Sequence, residues 1–291
     1  MHYETFQPAP VLRPFVRGLY YFKGDVGDSD TFHTFRFPSD GGPELILNLG
    51  DPFAAGCCES RLHTFSGASI VGPLSCNLIT RAAGLTAFVA VRFRPGSMIP
   101  FFHLPSDELT DRSTTLDTVW GPFGGQIQDQ VQRARTPAAA AAAVQSALCA
   151  KRISSYRPDR RMQQAAETIA VRRGLVRVGQ LARSAGLSRR QFERRFKRMA
   201  GLSPKRLCRI VRFSNLCGRM ERSEQQDWAQ NALACGYSDQ AHMIRECRFF
   251  TGHSPQAYLR QRSPLEAAIH DTPASMSHLF NTAAPHSAIM R

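Results

Sequence analysis

Short stretches of alternating apolar and polar residues fill the first third of the chain. Within residues 87–94, Val89, Val91 and Phe93 are spaced by two, whereas Arg92 and Arg94 fall on the opposite face. A period of two is typical of a β-strand with one buried face, and turn-forming residues separate these stretches. The predicted strands are Phe15–Phe22, Thr31–Phe37, Glu44–Leu49, Ser69–Val71, Cys76–Thr80 and Leu85–Arg94.

Beyond residue 95 the apolar residues recur every three or four positions, which indicates helices. A short helix is expected near residues 98–102, and a longer one over Leu116–Ala134 with two interruptions, at Gly121-Pro122 and Gly124-Gly125. An alanine-rich helix then begins at Pro137. Because alanine favours helices and has little bulk, this helix could pack against a second copy of the chain or against its own domain. The sequence leaves both open.

One stretch, Val178–Tyr258, contains the same pattern twice. The first copy reads GLSRRQFERRF from Gly186 and ends in GLSP, and the second reads GYSDQAHMIREC from Gly236 and ends in GHSP. Phe196 and Cys247 are equivalent positions, 51 residues apart (247 − 196). An internal repeat constrains the architecture more than any local feature.

Each copy has the plan of a helix-turn-helix unit. In the first, an apolar stripe over residues 181–185 is ended by Gly186, since glycine adopts the left-handed conformation after a helix at low cost. Ser188 is expected to cap a second helix that turns Phe192 and Phe196 inward and arginines outward. Such an outer helix can lie in a DNA major groove.

The second copy repeats this plan, and a long helix is expected between the two. Ala229–Leu233 predicts the supporting helix, Gly236 the turn, and Ser238 or Asp239 the cap. Pro204–Met220 predicts a connecting helix of roughly 25 Å, at ~1.5 Å per residue, which would hold the units apart. Residues 159–173 predict one further helix before the first copy.

Two motifs of the second copy are specific enough to indicate a family. They are Gly236-Tyr237-Ser238-Asp239-Gln240-Ala241-His242 with Arg245, and Gly252-His253-Ser254-Pro255. On these, residues 160–260 resemble the DNA-binding domain of the AraC/XylS family of transcriptional regulators. The chain departs from the family pattern at Cys247, where phenylalanine is usual, so the second unit is expected to be less well packed.

The resemblance implies DNA contacts from the two outer helices. In the first unit, base contacts are expected from Arg190, Glu193 and Arg194, and phosphate contacts from Arg189, Arg195 and the helix start at Ser188, with Gln191 also in the interface. In the second, base contacts are expected from Gln240, Ala241 and Arg245, with His242 a weaker or structural candidate and the helix start at Ser238 on a phosphate. Arginine suits guanine and glutamine suits adenine, because each pairs with two groups of the base at once.

The charge of the chain supports this assignment. Of its 291 residues, residues 1–150 hold 11 Lys and Arg against 13 Asp and Glu, a balance of −2. Residues 151–291 hold 26 against 10, a balance of +16. A basic half that also carries two helix-turn-helix copies predicts double-stranded DNA as its partner.

The remaining composition narrows the class of protein. No apolar run reaches the ~18 residues of a membrane span and no signal peptide opens the chain, so we expect a cytoplasmic protein without membrane contact. The eight cysteines include no Cys-x-x-Cys pair, and Cys57 and Cys58 are adjacent, so the sequence predicts no disulfide, metal or cofactor. His33, His63 and His103 are isolated and no catalytic motif is present, so no catalytic site is predicted.

The first half also carries motifs with a family resemblance. These are Asp40-Gly41 followed by Glu44-Leu45-Ile46, Val71-Gly72-Pro73, Val91-Arg92-Phe93-Arg94-Pro95-Gly96 and Leu109-Thr110-Asp111. They resemble the sensor-like N-terminal domain of a subset of AraC-type regulators, which implies effector binding or dimerisation. Glu44, Arg92 and Arg94 are the candidate effector-binding residues, since arginine recognises carboxylate and phosphate groups. A structural ion pair is the alternative, and the commoner case.

The sequence therefore predicts an α+β protein: a β-rich domain with accessory helices over residues 1–152, an all-α domain of two helix-turn-helix units over 158–262, and a disordered tail over 263–291. Residues 154–158 form the expected linker. The expected function is sequence-specific transcription regulation rather than catalysis, with a small-molecule effector, RNA polymerase and a second copy of the chain as further partners. Two alternatives stay open: an enzyme in the β-rich domain that the basic half targets to nucleic acid, and a DNA-architectural protein.

Overall fold

The structure is a computed structural model of the chain that describes residues 1–27, 32–37, 39, 41–153, 155–222 and 227–261, without the side chains of residues 221, 222 and 261. Asp40, Ser154 and the predicted tail 263–291 lie outside the described residues. The prediction of disorder for that tail stays a prediction.

Two antiparallel sheets form the first part of the molecule. One has six strands in the order β1-β2-β9-β4-β7-β10, and the other has four in the order β3-β8-β5-β6. The strands are β1 (His2–Phe6), β2 (Val16–Asp25), β3 (His33–Phe37), β4 (Glu44–Asn48), β5 (Phe53–Gly56), β6 (His63–Phe65), β7 (Ala68–Val71), β8 (Leu78–Ala82), β9 (Leu85–Phe93) and β10 (Ser113–Thr115).

Alternation along the central strands gives the six-stranded sheet two buried faces. Val91 and Phe93 of β9 belong to a core with the N-terminal helices, whereas Ala90 belongs to a core with residues of the four-stranded sheet such as Phe35 and Phe53. Both faces of β9 are therefore packed, and its alternate residues belong to two different cores.

Eleven helices are described, four beside the sheets and seven in the C-terminal region. They are α1 (Ile99–Phe102), α2 (Leu116–Trp120), α3 (Pro122–Gln132), α4 (Pro137–Lys151), α5 (Arg160–Val171), α6 (Val178–Ser184), α7 (Arg189–Ala200), α8 (Pro204–Arg222), α9 (Trp228–Ala234), α10 (Gln240–Thr251) and α11 (Pro255–Gln261). Helices α5 to α11 share a separate hydrophobic core.

The predicted α+β class is confirmed, but four strands were missed. Strand β1 lies at a sheet edge, and β5, β6 and β10 are only three or four residues long, too short to show a period of two. Of the two predicted glycine interruptions, Gly121 separates α2 from α3 with φ 60°, whereas Gly124 and Gly125 lie inside α3. The alanine-rich α4 buries residues such as Val144 and Leu148 in the core of its own domain.

The two regions meet where loops of the β-rich part contact the end of α7 and the start of α8. Thr110 Oγ1 donates a hydrogen bond to the carbonyl oxygen of Gly201 at 2.7 Å. Gly201 lies so close to Pro73 that an added Cβ would come within 2.7 Å of the Pro73 Cγ atom. Gly96 packs in the same way against Met199 of α7. The end of the first outer helix thus rests on the N-terminal domain.

Candidate nucleic-acid interface

The first outer helix, α7, begins with a capping box. Ser188 Oγ accepts the backbone N–H of Gln191 at 3.3 Å, and Gln191 Oε1 accepts the backbone N–H of Ser188 at 3.1 Å. These reciprocal bonds satisfy donors that a helix start otherwise leaves free. The side chain of Gln191 is therefore engaged in starting the helix, and its predicted DNA contact stays a prediction.

The solvent-facing side of α7 is strongly basic. Arg189 and Glu193 form an ion pair at 2.9 Å one turn apart. Arg190 and Arg194 are exposed, and neither makes a hydrogen bond or ion pair with another residue of the described ranges. Of the predicted contact residues in this unit, these two guanidinium groups are the ones most available to a ligand.

Arg195 is held by the preceding helix. Its Nε and Nη2 atoms donate to Asp159 Oδ2 at 3.1 and 2.7 Å, and Asp159 is itself the N-cap of α5. The guanidinium is still exposed, with 46% of its side chain accessible. A phosphate contact from Arg195, predicted from the resemblance, would have to compete with this ion pair.

The second outer helix, α10, starts differently from the first. Asp239 and not Ser238 is the N-cap, accepting the backbone N–H of His242 at 2.6 Å, while Ser238 Oγ donates to Asp239 Oδ2 at 2.9 Å. The backbone bond from His242 is the main reason that the pKa of Asp239 is lowered. A negative charge therefore lies at the helix start where Ser238 was predicted to hold a phosphate.

The predicted base-contacting residues of α10 are exposed. Gln240, Ala241 and Arg245 face solvent, and within the described ranges Gln240 and Arg245 have no side-chain hydrogen bond or ion pair. The ring of His242 is half-buried, lies edge-on to Tyr237 at 5.3 Å and has Nδ1 3.2 Å from Ser238 Oγ. These contacts fit the structural role that the sequence left open for His242.

Equivalent positions of the two units carry ion pairs of opposite polarity. Glu246 lies 51 residues after Arg195 (246 − 195). Its carboxylate forms an ion pair with Arg209 of α8, whose Nη2 atom lies 2.7 Å from Glu246 Oε1. In each unit, then, the inner flank of the outer helix is tied to the helix that precedes the unit, by Arg195 to Asp159 and by Glu246 to Arg209. Sequence reasoning missed both pairs, although the change of sign at an aligned position was a visible signal.

The inner faces of α7 and α10 differ in composition but not in burial. Phe192 and Phe196 lie 5.6 Å apart by ring centroids, and their equivalents Met243 and Cys247 are, like them, fully buried. Burial raises the pKa of the Cys247 thiol to about 11. Loss of packing at Cys247 stays a prediction, because its side chain is as inaccessible as the phenyl ring of Phe196.

In the N-terminal domain, two of the three candidate effector residues form an ion pair. Arg92 Nε lies 2.6 Å from Glu44 Oε1, with about 15% of each side chain exposed, and Tyr20 donates its phenol to Glu44 Oε2 at 3.2 Å. Burial is the main cause that raises the pKa of Tyr20, and the negative charge of Glu44 raises it further, so the phenol keeps its proton. Arg94 instead donates to the backbone carbonyl of Arg13. This geometry fits the structural alternative, and effector binding by these residues stays a prediction.

A cleft of about 400 Å³ lies elsewhere in the domain, between the six-stranded sheet and helices α3 and α4. Neither Arg92 nor Arg94 lines it. Its lining includes aromatic, aliphatic and two basic side chains: Tyr21, Lys23, Leu49, Leu85, Ala87, Val131, Gln132, Ala134, Arg135, Thr136, Pro137 and Ala140. This cleft could not be predicted from the sequence, because its two walls are distant in the chain.

A search for helices that could cross a membrane found none in the described ranges. Among the described residues, Cys57, Cys76 and Asp111 place three side chains that can bind a metal close to one another. It was not anticipated, because the three residues are far apart in the sequence.

Comparisons with known proteins bear on both halves. Residues 181–261 match a family model described as a helix-turn-helix domain, and residues 4–115 match a domain of unknown function, DUF6597. A search of the curated proteins gave no match.

Several solved structures are similar to this chain at low sequence identity. ToxT from Vibrio cholerae is 9% identical over 90% of this chain and 100% of its own, with a TM-score of 0.45. Regulators of the AraC type from Chromobacterium violaceum and Rhodopseudomonas palustris are each 24% identical over 36% of this chain, covering 94% and 100% of their own, with TM-scores of 0.33 and 0.31. On the family match and the repeated geometry described above, the C-terminal region of this chain is an AraC-type helix-turn-helix domain, and its N-terminal region is similar to the DUF6597 domain.

Proposed function

We propose that this protein is a sequence-specific transcription regulator that reads two successive major grooves of double-stranded DNA, one with α7 and one with α10. The DNA-binding domain extends over residues 158–262 and the sensor domain over residues 1–152. The activity of the protein is binding rather than catalysis, carried out in the cytoplasm, and regulation involves contact with RNA polymerase. Dimerisation through the N-terminal domain is a further expectation.

The observation that carries this proposal is the free basic face of both outer helices. Arg190 and Arg194 on α7, and Gln240 and Arg245 on α10, are exposed and form no side-chain hydrogen bond or ion pair within the described ranges. These are the side-chain types that pair with two groups of a base edge at once. A rigid α8 between the units would place their two recognition sites about one helical turn, ~10 bp, apart.

A binding-selection experiment on the full chain tests the proposal. Arg194→Ala and Arg245→Ala should each weaken binding by about 1–3 kcal/mol and relax base preference, each in a different half of the site. Arg133→Ala removes the same charge from an exposed position after α3 and is the matched control. If both variants change the same base positions, or neither changes any, the two-groove proposal is wrong. An architectural protein would instead show weak base preference and strongly bent DNA.

We propose further that a small-molecule effector binds the N-terminal domain in the cleft beside α3 and α4. The cleft has the size of a ligand site, and it combines an aromatic and aliphatic wall with the cations of Lys23 and Arg135. The Glu44–Arg92 pair is less suited to an anion, because the two charges already neutralise each other at 2.6 Å.

Thermal-shift screening of the full chain against small carboxylates and uncharged amphiphiles identifies a ligand of either kind. A ligand that binds in the cleft should lose its stabilising effect in Lys23→Gln and Arg135→Gln but keep it in Arg92→Met. If stabilisation is instead lost in Arg92→Met and kept in Lys23→Gln and Arg135→Gln, the effector binds at the residues predicted from the sequence.

A further inference from the structure

Two thiols and a carboxylate from three separate segments converge on the surface of the N-terminal domain. Cys57 follows β5, Cys76 precedes β8, and Asp111 precedes β10. Their ligand atoms all lie within 4.8 Å of one another, and Cys57 Sγ donates to Asp111 Oδ1 at 3.1 Å. Cys76 Sγ lies 3.5 Å from the carbonyl oxygen of Cys57.

Ligand atoms within 4.8 Å of one another can converge on one metal ion after a small shift. Sulfur atoms bound to one tetrahedral Zn²⁺ lie roughly 3.8 Å apart, and a bound sulfur and oxygen roughly 3.5 Å apart, since the bonds are ~2.3 Å and ~2.1 Å. Two thiolates select soft or borderline cations over Mg²⁺ and Ca²⁺, which prefer oxygen ligands. A disulfide between Cys57 and Cys76 would make no use of the carboxylate of Asp111.

The carboxylate of Asp111 is held in place by a second layer of hydrogen bonds. Ser75 donates its backbone N–H to Asp111 Oδ1 at 2.6 Å and its hydroxyl to Oδ2 at 2.7 Å. A carboxylate has about four lone-pair sites, so these two bonds leave room for a metal. Hydrogen bonds of this kind orient the ligands of metal sites.

We propose that Cys57, Cys76 and Asp111 form a binding site for a thiophilic divalent cation of the Zn²⁺ type. Three protein ligands leave the fourth position to water. Binding converts two thiols into thiolates and releases their two protons, and the hydrogen bond from Cys57 to Asp111 is replaced by metal–sulfur and metal–oxygen bonds.

The site is adjacent to the contact between the two domains. Thr110, the residue before Asp111, donates its hydroxyl to the carbonyl oxygen of Gly201 at the end of α7. Asp111 N–H donates to the carbonyl oxygen of Pro73, and Pro73 packs on Gly201. A bound cation would fix the two loops that support the first outer helix, and this consequence rests on the proposed DNA binding.

Titration of the reduced full chain with Co²⁺, a spectroscopic substitute for Zn²⁺, tests the site directly. We expect a sulfur-to-cobalt charge-transfer band that saturates at one equivalent and disappears when Zn²⁺ is added. Cys57→Ser, Cys76→Ser and Asp111→Asn should each weaken binding by at least about tenfold. Asparagine, like aspartate, tolerates the φ of 58° at position 111. Circular dichroism of the metal-free variants establishes that they are folded.

The matched controls are Cys58→Ser, the neighbouring thiol, and Cys149→Ser, an exposed thiol on α4. Both should bind Co²⁺ as the unmodified chain does. Absence of the band, a band that survives Cys57→Ser in the folded variant, or a Cys57–Cys76 disulfide in a chain that binds no metal when reduced would overturn the site.

DNA affinity measured with and without Zn²⁺ tests the consequence separately. We expect Zn²⁺ to change the affinity of the unmodified chain severalfold and to leave that of Cys57→Ser unchanged. A cobalt band in a chain that binds no DNA would contradict the proposed function while the metal site stands. An unchanged affinity in a chain that binds both would contradict the coupling alone.

Discussion

Thr110 and Gly201 connect the two domains through a hydrogen bond of 2.7 Å from a side chain to a backbone carbonyl. Gly201 is also the residue that ends α7 in the left-handed conformation, with φ 77°. The same glycine therefore terminates the first outer helix and receives the N-terminal domain. Its equivalent in the second unit, Gly252, has the same φ of 77°, but an added Cβ would meet no atom within 4 Å.

Gly201→Ala should destabilise the protein more than Gly252→Ala. Both substitutions place a side chain in the left-handed region, at a cost of about 1 kcal/mol. At Gly201 the new Cβ would also approach Pro73 Cγ to 2.7 Å and the Ser106 carbonyl oxygen to 2.8 Å, so the domains must separate or shift. Urea unfolding of the two variants measures the difference, and equal losses would show that the domain contact contributes nothing to stability.

The ion pair between Arg209 and Glu246 should be the costliest polar contact of the second unit to break. Glu246 exposes only 10% of its side chain, so Arg209→Met would leave a buried charge without its partner. The expected loss is about 3–5 kcal/mol. Glu193→Gln, which breaks the exposed Arg189–Glu193 pair on α7, is the control and should cost less than about 1 kcal/mol. Similar losses for the two would mean that water reaches Glu246.

The helix-turn-helix architecture could be predicted because its signals are local. Gly186 and Gly236 mark turns, and Phe192 and Phe196 mark an inward face within one helix. The structure confirms both, with Gly186 and Gly236 between helices and with Phe192 and Phe196 on the buried face of α7. The identity of the cap at Asp239 was left open, because two adjacent residues could each accept the same backbone N–H.

Features that depend on the packing of distant segments could not be predicted. Asp111 lies 54 residues after Cys57, and the strands beside them, β10 and β5, belong to different sheets. The cleft beside α4 has walls from both ends of the N-terminal domain. The contact at Gly201 depends on how the two domains pack against each other. The spacing of apolar residues within one segment carries no information about such packing.

The C-terminal domain should lose stability at alkaline pH. Burial raises the pKa of Cys208, Cys235 and Cys247 to about 11, above the value near 9 of an exposed thiol. Protonated thiols therefore contribute stability that is complete below pH ~9 and is lost as the pH rises towards 11, since the unfolded chain releases these protons first. Each thiol should lower the free energy of unfolding by up to ~1.4 kcal/mol per pH unit in that range.

Urea unfolding between pH 8 and pH 11 measures this slope. Cys247→Ala should remove the contribution of about one proton to the slope of the free energy of unfolding against pH. This holds whatever the substitution does to stability at pH 8. Cys149→Ala, which removes an exposed thiol of α4, should leave the slope unchanged. An unaltered slope in Cys247→Ala would mean that its thiolate is tolerated in the folded core.

Cys247→Phe should destabilise the second unit, although it restores the residue that the family pattern has there. Cys247 is fully buried, and Phe250 of the same helix stacks on Phe213 of α8 at 4.8 Å. Because the surrounding side chains leave no accessible surface on the thiol, a phenyl ring should overpack the core at a cost of about 1–3 kcal/mol. Thermal and urea unfolding measure the change, and a gain in stability would reveal unfilled space around Cys247.

Asp239→Asn should strengthen DNA binding if the start of α10 faces a phosphate, as the sequence predicts for the start of α7 at Ser188. Asparagine caps a helix about as well as aspartate, so the bond from the His242 backbone N–H, 2.6 Å in the present structure, should persist and α10 should stay folded. Removing the carboxylate removes its repulsion of a nearby phosphate, which is weak in water even a few ångström away. The dissociation constant should therefore fall about two- to fivefold at low salt, and the gain should shrink as salt screens the charges.

Fluorescence anisotropy at two salt concentrations measures this change in affinity, with Asp129→Asn, on α3 of the N-terminal domain, as the control of equal charge. If Asp239→Asn and Asp129→Asn behave alike, the start of α10 does not approach the DNA backbone, and phosphate contacts near Ser238 are excluded.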